Sequence, residues 1–106
     1  MASGILGTPA DLSAGSYVTL YTVPASTFAV CSVSIVNRSN TALTIRLAVA
    51  DASTPTNAEF IEYDSTIAPK AILERTGIVM QTGKLLVVYS SAVNCNAVVF
   101  GIETSA

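Results

Sequence analysis

The 106-residue sequence contains no histidine and no tryptophan, and only 11% of it is charged. An ordinary soluble domain carries roughly 25% charged residues. The missing histidine excludes a Ser-His-Asp triad, a Cys-His dyad and any His-ligated metal centre. Basic residues number 5 against 7 acidic ones, a net charge of −2. The five are scattered, so no stretch offers the clustered Lys and Arg that displace counterions from a nucleic acid. Cysteine occurs only as Cys31 and Cys95. Two thiols without histidine cannot build a zinc site. A disulfide between them needs Cα atoms within about 7 Å, a condition the sequence leaves open. Buried free thiols acting as small hydrophobes are the favoured reading. Long apolar runs are missing too. Leu85-Leu86-Val87-Val88-Tyr89 has strand length, whereas a bilayer-spanning helix needs about 20 residues. Met1 to Pro9 has neither a basic n-region nor a long apolar core, so it is not read as a secretory signal. No cofactor, metal, nucleic acid or membrane is expected as a partner.

What is present is apolar and hydroxylic. Hydrophobic residues make up 51%, with 12 Ser and 12 Thr. A small domain buries only about 60–65% of its extended-chain surface, and here Ser and Thr must cover much of the remainder. Hydroxyl-coated faces resist association less than Lys/Glu faces do. A permanent partner, including further copies of the chain, is therefore expected.

Residues 1–15 lack periodicity and read as an irregular N-terminal arm. Ile5, Leu6 and Leu12 would be odd in a solvated tail, so they are candidate partner contacts. Residues 16–106 read as one β domain. Tyr17 to Val23 is rich in β-branched and aromatic residues. From Phe28 to Val36, Ala29, Cys31, Val33 and Ile35 alternate with polar or smaller neighbours, the mark of a strand with one buried face. Leu43, Ile45, Leu47 and Val49 repeat the pattern. The polar cluster Asn37-Arg38-Ser39-Asn40 between these two strands predicts a β-hairpin. Asn37-Arg38-Ser39 also matches a glycosylation acceptor and is read as a turn. Residues 51–58 form a loop, and Glu59 to Tyr63 a short strand. Ile72 to Met80 follows, broken at Gly77. Leu85 to Ser90 is apolar on both faces and reads as central. Asn96 to Glu103 closes the chain, with Val98, Phe100 and Ile102 on one face and Ala97 and Val99 on the other. No 3.6-residue periodicity occurs. Seven or eight strands at this spacing predict an all-β fold, a single antiparallel β-sandwich or jelly-roll-like domain.

The densest carboxylates are Glu62 and Asp64. On a regular strand they share a face about 6.6 Å apart, a glycosidase-like separation. A glycosidase also needs an aromatic cleft, and an EF-type calcium spacing is missing. A solvated strand edge, neutralised by Lys70 or Arg75, is the favoured reading, and no enzyme activity is expected. Arg75 is a further candidate partner contact, because interfaces are enriched in Arg. Tyr17, Tyr21, Tyr63 and Tyr89 read as core-edge residues rather than a sugar platform.

Five segments carry a resemblance. They are Leu20-Tyr21-Thr22-Val23-Pro24-Ala25, Ser32-Val33-Ser34-Ile35-Val36-Asn37-Arg38-Ser39, Ile61-Glu62-Tyr63-Asp64, Leu73-Glu74-Arg75-Thr76-Gly77-Ile78 and Gly83-Lys84-Leu85-Leu86-Val87. Together, across residues 16–103, they resemble small virion proteins of tailed bacteriophages, above all phages of cyanobacteria and other aquatic bacteria. The motifs are structural, not catalytic. The resemblance implies a β-sandwich virion module assembled in the host cytoplasm. The leading expectation is a capsid decoration, or cement, protein that binds the major capsid protein lattice as a small homo-oligomer. The alternative is a tail, neck or baseplate component of the same fold. A carbohydrate- or receptor-binding module is the second alternative. It calls for an exposed aromatic cluster beside carboxylates, and the lack of Trp weighs against it. If the arm staples neighbouring subunits, removing residues 1–15 is expected to abolish particle binding and leave the fold intact.

Overall fold

The computed structural model describes residues 3–105. Nine strands follow one another: β1 (Ser3–Ile5), β2 (Ala10–Leu12), β3 (Tyr17–Thr22), β4 (Thr27–Asn37), β5 (Leu43–Ala50), β6 (Phe60–Ile67), β7 (Ile72–Met80), β8 (Leu85–Ser90) and β9 (Cys95–Ser105). A 3-10 turn, Asn57–Glu59, precedes β6. Sheet I has the order β1-β9-β4-β7, with β2 also paired to β9; sheet II has the order β3-β8-β5-β6. All the strand pairings are antiparallel. β1 and β2 pair with successive stretches of β9 and act as one interrupted edge strand. Every link from β2 onward switches sheets except β5 to β6, which form a hairpin. Eight strands wired this way form a double-sheet jelly roll. β8 is an inner strand, as its two apolar faces predict.

The alternation in β4 does place Ala29, Cys31, Val33 and Ile35 in the core between the sheets, with Ile45 and Leu47 facing them from β5. The predicted hairpin between β4 and β5 does not form, because β4 belongs to sheet I and β5 to sheet II. The reason lies in Asn37, whose side chain is 0% exposed. Its amide nitrogen donates to the carbonyls of Thr41, Ile67 and Ala68 at 2.9, 3.1 and 3.2 Å. Its Oδ1 accepts from the Ser39 N–H at 2.9 Å and the Ser39 hydroxyl at 2.7 Å. The polar cluster thus builds a buried corner between sheets instead of a two-strand turn. The phase in β5 also slips. Ala48 and Ala50 are buried and Val49 is only half-buried, because the register with β6 shifts between Leu47 and Ala48.

The expected arm is part of the sandwich. Leu6 is 1% and Leu12 2% exposed, and both lie in the chain's own core. The Leu6 N–H donates to the Val99 carbonyl at 2.9 Å, extending the pairing of β1. Gly7 then turns the chain at a φ of +66°, with no room for a side chain: a Cβ there would sit 2.1 Å from the Leu20 carbonyl oxygen. Thr8 donates to that same carbonyl at 3.3 Å, so this segment closes one side of the sandwich. Leu6 and Leu12 are therefore occupied within the chain, and only Ile5 of the three remains exposed.

Candidate functional site

Each outer face of the sandwich carries a distinct cluster. On sheet I the cross-strand register aligns Ile102 with Val30 and Val30 with Val79; one row further on, Ile5 lies opposite Phe100. Ile5, Ile102 and Val79 are 54, 52 and 68% exposed. On β9 the larger side chains, Phe100 and Ile102, point outward, while Ala97 and Val99 fill the core. The outward row gathers exposed apolar side chains from four neighbouring strands of sheet I.

On sheet II, Tyr17 of β3 pairs with Tyr89 of β8, and Tyr89 pairs with Arg46 of β5. Between β5 and β6 the register shifts, so that Tyr63 and Asp64 both lie opposite Arg46. Asp64 has a φ of 50°, as the local geometry of such a bulge demands. The bulge brings both residues to one guanidinium. Arg46 lies over the Tyr63 ring at 4.4 Å and the Tyr89 ring at 4.7 Å. Its Nε and Nη2 donate to the two Asp64 oxygens at 2.7 and 3.4 Å, and its Nη1 donates to the Tyr17 hydroxyl at 3.1 Å. These bonds to Asp64 and Tyr17 raise the Arg46 pKa. The Tyr17 and Tyr89 rings are 5.2 Å apart. Phe60 meets Tyr63 edge-on, 4.9 Å between centroids and 75° between planes. Asn57, Phe60 and Tyr63 line an open depression of about 450 Å³.

Three of the four tyrosines therefore form an outer-face row instead of scattered core-edge residues. The fourth, Tyr21, is buried, and its hydroxyl donates to the Glu103 carboxylate on the opposite sheet. Burial and that carboxylate push the Tyr21 pKa well above the ordinary phenol value. Arg46, Phe60 and Asn57 went unnoticed in the sequence. The available signal was Arg46 itself, a lone cation at an outward position of an otherwise apolar, alternating strand.

Glu62 and Asp64 do not share a face. The bulge reverses the alternation: Asp64 turns to Arg46, whereas Glu62 accepts hydrogen bonds from Arg75 and from the Ser65 hydroxyl. Arg75 sits on β7, the edge of sheet I, and Glu62 on β6, the edge of sheet II. This ion pair spans the open side between the sheets, which answers for Arg75 within the chain. Arg38 pairs with Asp11 at 2.5 Å and Lys84 with Asp51 at 2.6 Å. Lys70, expected near the Glu62 group, instead donates to the Arg38 carbonyl at 2.7 Å. All five basic side chains are thus engaged. Glu59 pins the 51–59 loop by accepting from the Thr56 and Asp51 N–H groups at 2.8 and 3.0 Å, which lowers its pKa. Among the described residues, no group of three or more His, Cys, Asp or Glu is placed to hold a metal ion. Cys31 and Cys95 are buried free thiols. Cys95 lies opposite Asn37, six residues along β4 from Cys31, a separation of about 20 Å. No disulfide can join them.

Comparison of the sequence with protein-family models and with curated proteins finds no match.

Proposed function

We propose that this chain is a non-enzymatic structural protein of a phage virion, a capsid decoration protein that docks through the outer face of sheet I onto the major capsid protein lattice. The observation that carries this reading is the patch of Ile5, Val30, Val79, Phe100 and Ile102, contiguous across three sheet-I pairings. Covering such a patch removes apolar area from water at roughly 25 cal/mol per Å². Within these rows its neighbours Ser3 and Ser32 supply hydroxyls, and the exposed Glu74 lies further along β7, opposite Ser34. The segmental resemblance to small phage virion proteins supports the same reading. So do the two unpaired thiols, since a fold that needs no disulfide suits assembly in a reducing cytoplasm. Repetition on a symmetric lattice lets a modest contact per copy hold the shell through avidity. A small homo-oligomer of the chain would bridge adjacent capsid subunits.

The test is the number of copies in purified virions, measured by quantitative mass spectrometry against the major capsid protein. A ratio near one copy per capsid subunit, or per few subunits, is expected. Ile102→Lys, which places a charge in the patch without touching the core, is expected to strip the protein from particles. A handful of copies per virion would move the chain to the tail, neck or baseplate. Absence from virions, or full occupancy by the Ile102→Lys variant, would sink the docking reading.

A further inference from the structure

We infer that the depression on the outer face of sheet II is a binding site for a neutral saccharide. The site stands on the opposite side of the sandwich from the sheet-I patch and does not depend on it. Its volume, about 450 Å³, falls in the roughly 300–1,000 Å³ range of small-ligand pockets. Phe60 and Tyr63 meet at 75°, so one ring offers a floor and the other a wall. Tyr63 is 56% exposed. An exposed ring beside an exposed amide, Asn57, matches a sugar ring, which has an apolar C–H face and a rim of hydroxyls. The amide both donates and accepts, as hydroxyl recognition requires.

The neutrality of the ligand follows from the state of the charges. Arg46 is bonded to both oxygens of Asp64 and to Tyr17, and rings of Tyr63 and Tyr89 lie against its faces. It has little left to offer an anion, and Asp64 little to offer a cation. The pair serves instead to hold Tyr63 in place. A ring fixed before binding loses less freedom on binding, which favours a ligand that offers few contacts. Arg46 is thus a positioning residue, and Tyr63, Phe60 and Asn57 are the contact residues.

The test uses the isotope-labelled intact chain and two-dimensional amide NMR. Neutral trisaccharides of glucose, galactose and N-acetylglucosamine are titrated one by one, alongside uncharged nucleosides. At least one saccharide is expected to shift the Asn57, Phe60 and Tyr63 amides, with a Kd on the order of a millimolar. Tyr63→Ala is expected to weaken that binding about tenfold, the effect of losing one well-placed aromatic contact. The ring is exposed, and the dispersion of the variant's own spectrum reports its fold. Asn57→Ala is the second variant and leaves every strand residue in place. Three results would overturn the inference: no saccharide shifts these amides, the shifts persist unchanged in both variants, or nucleosides bind and saccharides do not. Because the titration needs no virion, its failure leaves the sheet-I docking reading standing, and the reverse also holds.

Discussion

Asn37 shows how one polar side chain directs the path of a chain. Its amide satisfies three backbone carbonyls from two separate segments, and its oxygen fixes Ser39. A buried carbonyl deprived of its donor keeps the full desolvation penalty, about 1–3 kcal/mol per group. Only the bond to the Ile67 carbonyl among the three is fully buried, so Asn37→Ala is expected to lower the unfolding free energy by about 1–3 kcal/mol. Urea denaturation followed by fluorescence of the tyrosines would measure it. A loss under 1 kcal/mol would mean that water replaces the amide and that the corner is not built by this residue. The same burial explains why the Asn-Arg-Ser pattern is unsuited to modification in the folded chain, since the acceptor nitrogen is spent inside the protein. Arg46 is the converse case: it is held at the surface by a carboxylate, a phenol and two rings.

At the scale of elements, the N-terminal segment and the β6 bulge decide most. β1 and β2 donate an edge strand to β9, and Leu6 and Leu12 fill the core beneath it. Burying a Leu side chain stabilises by about 1.5–3 kcal/mol. Deleting residues 1–15 is therefore expected to lower the unfolding free energy by at least about 3 kcal/mol, a large share of the 5–15 kcal/mol typical of a domain. This differs from the expectation that the segment is a detachable arm, because Leu6 and Leu12 are internal. Thermal unfolding of the truncated chain checks the point; an unchanged Tm would restore the arm. In β6, one extra residue is enough to separate Glu62 from Asp64 and to place Tyr63 over Arg46. Bulges re-aim side chains in this way.

At the scale of the whole molecule, the jelly roll separates two surfaces that the chain interleaves residue by residue. Sheet I presents an apolar row across β1, β9, β4 and β7, with Asp11, paired to Arg38, and Arg75, paired to Glu62, elsewhere on its strands; sheet II presents rings around a neutralised ion pair. The core between them also sets how stability responds to pH. Burial pushes the Cys31 thiol up to about 11 and raises that of Cys95 as well. The folded chain then holds these protons more tightly than the unfolded chain, whose thiols titrate near 8.5. Their contribution to stability is complete below the unfolded value and is lost as pH rises through the folded values, which for Cys31 is about 11. Denaturant midpoints are expected to be flat with respect to these groups from pH 6 to 8. Above that, stability falls by up to about 1.4 kcal/mol per pH unit for each ionising thiol. Tyr21 adds to the loss above pH 10, because burial and Glu103 raise its pKa too. Cys31→Ala should flatten the profile between pH 9 and 11. An equally steep fall in that variant would place the alkaline transition elsewhere.

The sequence by itself determined the all-β class, the approximate positions of the seven strands β3 to β9, the inward face of β4 and the inner position of β8, but not the short strands β1 and β2. Each of these follows from period-two alternation or from runs that are apolar on both faces, which are local properties of a strand. It could not determine which strand stands beside which. Alternation is satisfied equally by a hairpin within one sheet and by a crossing between two, so the β4–β5 link was legible as a turn but not as a corner. Nor could it place Leu6 and Leu12, because three-residue strands are too short to show a period. The ring row was hidden for the same reason. Tyr17, Arg46, Tyr63 and Tyr89 lie on four different strands, and only the pairing register, with its bulge at Asp64, makes them neighbours. Local chemistry sets which way a side chain points along its own strand; the packing of the two sheets decides what it meets.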